Sequence, residues 1–251
     1  MSQAKLIRKI EELSMNALPA LKTQMYDGWI LRFADGYTKR ANSINPIYPS
    51  YDEDVNRKME RSETAFTERN IPVSYKITPL ASPSILDHIL EASDYSMESQ
   101  TSVQALSLAN MDAPNQTNAF IYNEMPEARF HDFCRLNNIH GRNQSIFRRV
   151  LENTIPTTCF IFLMDEKETT LACGLGVLED GYIGLFNIAT DEAYRNRGYG
   201  TKLVRNLLYW GKENGAENAY LQVVLTNEPA RNLYARLGFK EQYRYWFRVK
   251  G

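Results

Sequence analysis

The stretch Arg195-Asn196-Arg197-Gly198-Tyr199-Gly200-Thr201 joins an apolar extended run, Tyr182–Thr190, to a run whose apolar residues recur at helical spacing. Strand, basic glycine turn and helix start in that order fix the local architecture and give it a use. The first N–H groups of a helix have no internal acceptor, and the helix dipole favours an anion there. Glycine lets the backbone approach a ligand without interference from a Cβ. Arg195 and Arg197 add forked donors. The segment therefore reads as a phosphate site.

The remaining composition narrows the class. The chain has 251 residues, 43% of them apolar and 24% charged, which suits one large or two modest globular domains. The net charge of −1, with no block of like charge, argues against a dedicated nucleic-acid binder and leaves small-molecule or peptide partners open. No apolar run approaches the roughly 20 residues that span a bilayer, and the N-terminal segment is polar and helical in pattern, unlike a signal peptide. A cytoplasmic protein with no membrane partner is expected. Cys134, Cys159 and Cys173 are odd in number and widely spaced, as buried thiols in a reducing compartment would be. His88, His131 and His140 lack metal-ligand spacing, so no metal is expected. A homodimer is compatible with the sequence, which does not fix the oligomeric state.

Along the C-terminal half, Thr157–Met164, residues 169–178 and Tyr182–Thr190 read as strands, with Glu179-Asp180-Gly181 as a hairpin turn. Leu203, Val204, Leu207, Leu208 and Gly211 share a helix face that Gly215 terminates. A strand over 219–225 follows. Pro229 then opens a short helix with Ala230, Leu233, Tyr234 and Leu237 on one side, ended by Gly238. Residues 242–249 close the chain as an aromatic strand. The N-terminal half repeats the order. Trp29–Phe33 is a strand, Asp35-Gly36 a hairpin turn, and 37–44 the returning strand. Val55, Met59, Ser62 and Phe66 mark a helix, and Val73, Tyr75 and Ile77 a strand. Ser82-Pro83 is expected to cap a helix with Ile85, Leu86, Ile89 and Leu90 inward, before an extended run over 96–108. Residues 126–136 read as a helix at the start of the second half.

Asp35-Gly36-Tyr37 and Asp180-Gly181-Tyr182 lie 145 positions apart, and Pro83 and Pro229 lie 146 apart. An internal structural repeat accounts for both spacings, against the alternative of two unrelated α/β segments with chance turn signals. The glycine turn then maps onto residues 50–55, Ser-Tyr-Asp-Glu-Asp-Val, with no glycine and three carboxylates. Like charges repel, so this copy should not hold a pyrophosphate.

The pattern Arg195-x-x-Gly198-x-Gly200 after a strand resembles the acetyl-CoA signature of the GNAT superfamily of N-acetyltransferases. A glycine pattern alone is weak. Downstream, Asn227-x-x-Ala230-x-x-Leu233-Tyr234-x-x-Leu237-Gly238-Phe239 resembles the family's other motif, and the terminal aromatic strand also fits. The clear resemblance covers about residues 120–251. The N-terminal half resembles a degenerate second copy, as in tandem members. Domains over 1–109, GNAT-like without a CoA motif, and over 110–251, catalytic, are expected.

The resemblance implies an α/β fold of the α+β kind: a mixed, splayed sheet flanked by helices. It places acetyl-CoA, as co-substrate, in a V-shaped gap between the strands Tyr182–Thr190 and 219–225. Backbone groups of Arg197, Gly198, Tyr199, Gly200 and Thr201 would hold the pyrophosphate, with Arg195 and Asn196 in the same turn. Backbone groups of Ile188, Ala189 and Thr190 would pair with the pantetheine amides. Asn227 would touch CoA with its amide or simply cap a helix. Tyr234 matches the family position for the acid that meets the departing thiolate; packing on the sheet is its plain alternative.

The general base is not identifiable. Some members carry a glutamate in the strand before the glycine turn, but Gly184-Leu185-Phe186-Asn187-Ile188 has no carboxylate. Asp191, Asp180 and Glu179 are nearby acids that read as solvated turn residues, and Asn187 could orient a water. Arg40-Ala41-Asn42-Ser43 is the first half's candidate for substrate contact, or a strand end. These residues point to transfer of acetyl from acetyl-CoA to a primary amine of a small molecule or peptide. The rivals are an acyl-CoA-binding sensor or scaffold without turnover, and transfer of a longer acyl chain.

Overall fold

A computed structural model describes residues 2–51, 54–114 and 118–250. The chain runs α1 (Gln3–Ala17), β1 (Lys22–Tyr26), β2 (Trp29–Phe33), β3 (Ser43–Asn45), α2 (Val55–Thr67), β4 (Ser74–Ile77), α3 (Leu86–Ala92) and β5 (Tyr95–Ser107). It continues through β6 (Ala119–Tyr122), α4 (Glu127–Leu136), α5 (Arg142–Glu152), β7 (Thr157–Met164), β8 (Thr170–Glu179) and β9 (Tyr182–Thr190). A 3-10 turn (Glu192–Tyr194), α6 (Tyr199–Glu213), β10 (Asn218–Val224), α7 (Glu228–Arg236) and β11 (Lys240–Lys250) complete it. Two compact units result. The first takes the chain up to Val103, Ile146–Thr154, and Gln242 onward; the second takes Gln104–Ser145 and Ile155–Glu241.

In the first unit the strand order is β1-β2-β3-β4-β11-β5. The period-2 pattern of β2 divides its two faces. Trp29, Leu31 and Phe33 pack with Met59 and Phe66 of α2 and Leu86 and Leu90 of α3. Arg32 belongs to the other face, opposite Ser43, and α1 covers it. Its guanidinium donates to the carbonyls of Arg40, Met15 and Leu18, and burial lowers its pKa to about 10. Lys76 of β4 meets Glu11 of α1 at 2.5 Å, and the Tyr243 hydroxyl donates to the same carboxylate at 2.7 Å. Buried charges persist only when paired in this way.

Two local expectations fail here for visible reasons. Residues 37–42 are a loop, not a returning strand, because Asn42 ties them down. Its Oδ1 accepts from the N–H groups of Ala34 and Gly36 at 2.7 and 3.0 Å, and its Nδ2 donates to the Thr38 carbonyl at 3.0 Å. Of the candidate substrate segment, Ala41, Asn42 and Ser43 are buried, whereas Arg40 is half-buried and its carbonyl accepts from Arg32. Ser82 does not cap α3: Ile85 holds the N-cap position without a side-chain bond, and the Ser82 carbonyl accepts from the Trp29 indole. Of the four residues expected inward, Leu86 and Leu90 are buried while Ile85 is exposed.

The second unit has the order β5-β10-β9-β8-β7-β6. Leu203, Val204, Leu207 and Leu208 of α6 pack with Cys159, Ile161 and Leu163 of β7. Phe133 of α4 makes edge contacts with Phe160 and Phe162, residues that alternate with the first set along β7. The element order β2-β3-α2-β4-α3-β5 recurs as β8-β9-α6-β10-α7-β11. Pairing recurs too: β2·β3 and β8·β9 are antiparallel, whereas β3·β4 and β9·β10 are parallel. A division of the chain at 109/110 differs from the observed units at Gln104–Ala109, which belong to the second, and at Ile146–Thr154 and the residues from Gln242, which belong to the first. β11 follows α7 in the chain, yet residues from Gln242 belong to the first unit, where Trp246 pairs with Ile77 and Val249 with Ser74 of β4.

Candidate functional site

The site grows from a fault in strand pairing. β9 and β10 pair from Tyr182↔Asn218 to Leu185↔Leu221, and there the register ends although β9 continues to Thr190. On its other side β9 stays paired with β8. Phe186 opposes Leu175, but the next partner of Ala189 is Cys173, so β9 carries one extra residue. Asn187 absorbs the bulge with φ of 51°, in the left-handed region that asparagine tolerates better than most residues. Such a bulge bends its strand. Past it, Ile188, Ala189 and Thr190 show no ladder to β10, which leaves an edge open to an extended ligand.

Beyond Thr190 the Asp191 carboxylate accepts from the N–H of Ala193 and caps the 3-10 turn. Asn196 has φ of 60°, and Gly198, the N-cap of α6, has φ of 81° and no side chain to cap with. The first-turn N–H groups of α6 are therefore without a side-chain acceptor at the N-cap. The two glycines answer different needs. A Cβ on Gly198 would meet nothing within 4 Å, so its role is conformational and keeps space open. A Cβ on Gly200 would come to 2.9 Å from Leu233 Cδ1 and 3.5 Å from Thr190 Oγ1. Glycine there lets α6 start close against α7 and the end of β9.

These elements enclose a cavity of about 560 Å³. Its walls are Ile188, Ala189 and Thr190 from β9; Arg195, Asn196, Gly198, Tyr199, Gly200 and Thr201 from the turn and α6; and Asn227 and Tyr234 at α7. Of the residues expected to hold the cofactor or meet the thiolate, Arg197 alone is outside the lining. Its guanidinium lies 5.4 Å from the ring centroid of Tyr194. Asn187, expected to orient a water, is outside the lining as well. The lining also includes Leu136, Asn137 and Asn138 after α4, and Tyr194, Pro229, Ala230, Leu233 and Arg236. Pro229 was legible as the helix start, and Ala230 and Leu233 as part of one helix face. The contribution of α4 had no local signal, because it arises from a contact between distant segments.

A family profile described as "Probable histone acetyltransferase Rv0428c C-terminal" matches residues 4–248. The chain is 33% identical over 248 residues to the uncharacterized N-acetyltransferase YobR of Bacillus subtilis, covering 97% of this chain and 98% of that one. The chain belongs to the GNAT family of N-acetyltransferases. Among solved structures, a GCN5-related N-acetyltransferase from Kribbella flavida superposes with a TM-score of 0.71 at 15% identity, over 96% of this chain and 94% of that one. A tandem GNAT protein from the clavulanic acid biosynthesis pathway gives 0.61 at 12% identity, over 80% and 71%. The likeness to these structures is one of fold.

Tyr234 is 8% exposed and packs edge-on to Phe239 with centroids 5.8 Å apart. Burial pushes its pKa up to about 12, so the hydroxyl keeps its proton at neutral pH. Asn227 uses its Oδ1 to accept from the Ala230 N–H at 3.2 Å and so caps α7, while its residue also lines the cavity. The expected acids are otherwise engaged. Asp191 accepts from Arg135 at 2.7 Å, and this bond holds its carboxyl below the usual carboxylate range. Asp180, in the β8–β9 turn, and Glu179, the last residue of β8, lie at the far end of β9, roughly 26 Å of strand from Thr190. The lining contains no carboxylate and no imidazole among the described residues.

Proposed function

We propose that the protein transfers the acetyl group of acetyl-CoA directly to a primary amine in a ternary complex. One observation carries the reading: the uncapped, left-handed start of α6 opens on a cavity that also contains Tyr234 and the end of β9 beyond its pairing with β10. The α6 N–H groups suit a pyrophosphate. The open edge over Ile188–Ala189–Thr190 suits the pantetheine amides, which would bond to it much as an added strand does. Asn227 retains its amide Nδ2 for the same ligand.

The chemistry asks for a deprotonated amine, donors for the tetrahedral oxyanion, and a stabilised thiolate. Tyr234 can serve the third need, and its pKa sharpens how. Full proton transfer from a phenol at about 12 to an alkyl thiolate at about 8.5 is uphill by about 5 kcal/mol. A hydrogen bond to the developing sulfur charge fits that mismatch better than complete protonation. Among the described residues no lining group is a carboxylate or imidazole, so the amine proton leaves through water; Asn187, next to the lining residue Ile188 but not itself in the lining, is the group that would orient it.

The carboxylate-free lining also favours a second reading, an acyl-CoA-binding protein without turnover. Thiol release from acetyl-CoA, measured with a broad amine panel, separates the two. Amine-dependent thiol release with an acceptor heavier by one acetyl group supports transfer. Tight acetyl-CoA binding with no thiol release on any acceptor replaces the enzyme with a sensor or scaffold. The N-terminal copy, in this reading, is scaffold or substrate wall and not a second catalytic site.

A further inference from the structure

Two segments that line the cavity are joined by one ion pair outside it. Leu136, Asn137 and Asn138 form one wall, and Arg135 immediately precedes them. Tyr194, Arg195 and Asn196 form another, and Asp191 stands at the start of their turn. The Arg135 Nη1 donates to Asp191 Oδ2 at 2.7 Å, while Asp191 Oδ1 accepts from the Ala193 N–H at 3.0 Å. One carboxylate therefore shapes the approach to the phosphate turn and holds it to the end of α4. The body of α4 is also held by Thr170 Oγ1 donating to Asp132 at 2.7 Å, a carboxylate that lies 3.8 Å from Arg135 Nε, and by the burial of Phe133.

We propose that the Arg135–Asp191 pair is a positioning latch that presets the distance between the α4 end and the phosphate turn, and so sets the affinity for acetyl-CoA. The proposal rests on the acetyl-CoA reading of the cavity. Neither side chain lines the cavity, so the pair acts through the segments it joins. Ordering both walls before the ligand arrives removes part of the cost of ordering them on binding. Another ion pair on α4, Arg129–Glu168 at 2.9 Å, joins the helix to the β7–β8 connection and touches no lining residue, although Arg129 also lies 3.9 Å from the Asp132 carboxylate. It provides the control.

The test is calorimetric titration of acetyl-CoA into wild type, Arg135→Ala, Arg135→Lys, Asp191→Asn and Arg129→Ala, with thermal midpoints measured beside it. Asp191→Asn keeps an oxygen for the Ala193 N–H and removes only the charge. Arg135→Ala and Asp191→Asn should each weaken binding about three- to tenfold. Arg135→Lys, which restores the charge, should recover to within about twofold, and Arg129→Ala should bind as wild type does. Wild-type affinity in Arg135→Ala, or equal weakening in Arg129→Ala, overturns the latch and leaves the enzyme reading intact. Failure of the wild type itself to bind acetyl-CoA overturns both.

Discussion

Gly198 is where backbone geometry and ligand charge can be separated by experiment. Its φ of 81° lies in the left-handed region, and a Cβ there meets no atom within 4 Å. Gly198→Ala should therefore cost only the strain of an L residue in that conformation, about 1–2 kcal/mol. In a chain of this size that lowers the melting temperature by about 2–8 °C. Gly198→Glu carries the same strain and adds a carboxylate at the mouth of the proposed pyrophosphate site. At a separation of about 5 Å and an effective dielectric of about 20, two unit charges repel by about 3 kcal/mol. That corresponds to about two orders of magnitude in Kd. Calorimetry with acetyl-CoA on both variants, with melting curves alongside, is the assay. The alanine variant should bind within several-fold of wild type, and the glutamate variant at least about a hundredfold more weakly at a similar melting temperature. Equal dissociation constants for the two variants would remove the pyrophosphate from the start of α6.

Tyr234→Phe should lower kcat by about ten- to a hundredfold and raise the KM for acetyl-CoA much less, as loss of a transition-state donor does. Because burial pushes this phenol up to about 12, wild-type kcat should not fall as pH rises through 9 to 10; a fall that vanishes in the phenylalanine variant would contradict the burial argument. In the first unit, Glu11→Gln leaves Lys76 buried without its counter-charge, an effect of about 3–5 kcal/mol. Urea unfolding should show it, and the double variant Glu11→Gln, Lys76→Met should recover much of the loss; a change under about 1 kcal/mol in the single variant would mean the pair is not desolvated as described.

Long periodic segments were legible because burial writes their pattern into sequence: α6 and α7 and the strands β7, β8 and β9 follow their apolar spacing closely. β1 and β6 were not foreseen. β1 exposes four of its five residues, so no face imposes alternation on it, and β6 has only four. α5 buries only Ile146, Phe147 and Val150, little more than one turn of signal among arginines. Residues 37–42 looked extended because a buried asparagine holding a loop resembles any polar residue in a strand. At the site, the glycine turn and the α7 face were legible, since each is local. The ends of α4 and the bulge at Asn187 were not, because one is made by tertiary packing and the other by an extra residue that only pairing reveals.

The two copies can also be compared at the one feature that decides anion binding, the residue before the helix. Charge alone suggested that residues 50–55 would reject a pyrophosphate. Asp52 and Glu53 lie outside the described residues, but Asp54 shows a more specific cause. Its Oδ1 accepts from the Arg57 N–H at 3.0 Å, so the start of α2 already holds an anion of its own. The nearby cation is engaged as well: Lys58 is 1% exposed and donates to Asp27 Oδ2 at 3.0 Å and to Ser50 Oγ at 2.7 Å. At α6 the same position is Gly198, which has no side chain to offer. A helix start binds a soluble anion only where the chain does not supply one. By that rule a single difference, aspartate against glycine at the N-cap, would be enough to separate a structural copy from the proposed binding copy while the order of strands and helices stays the same.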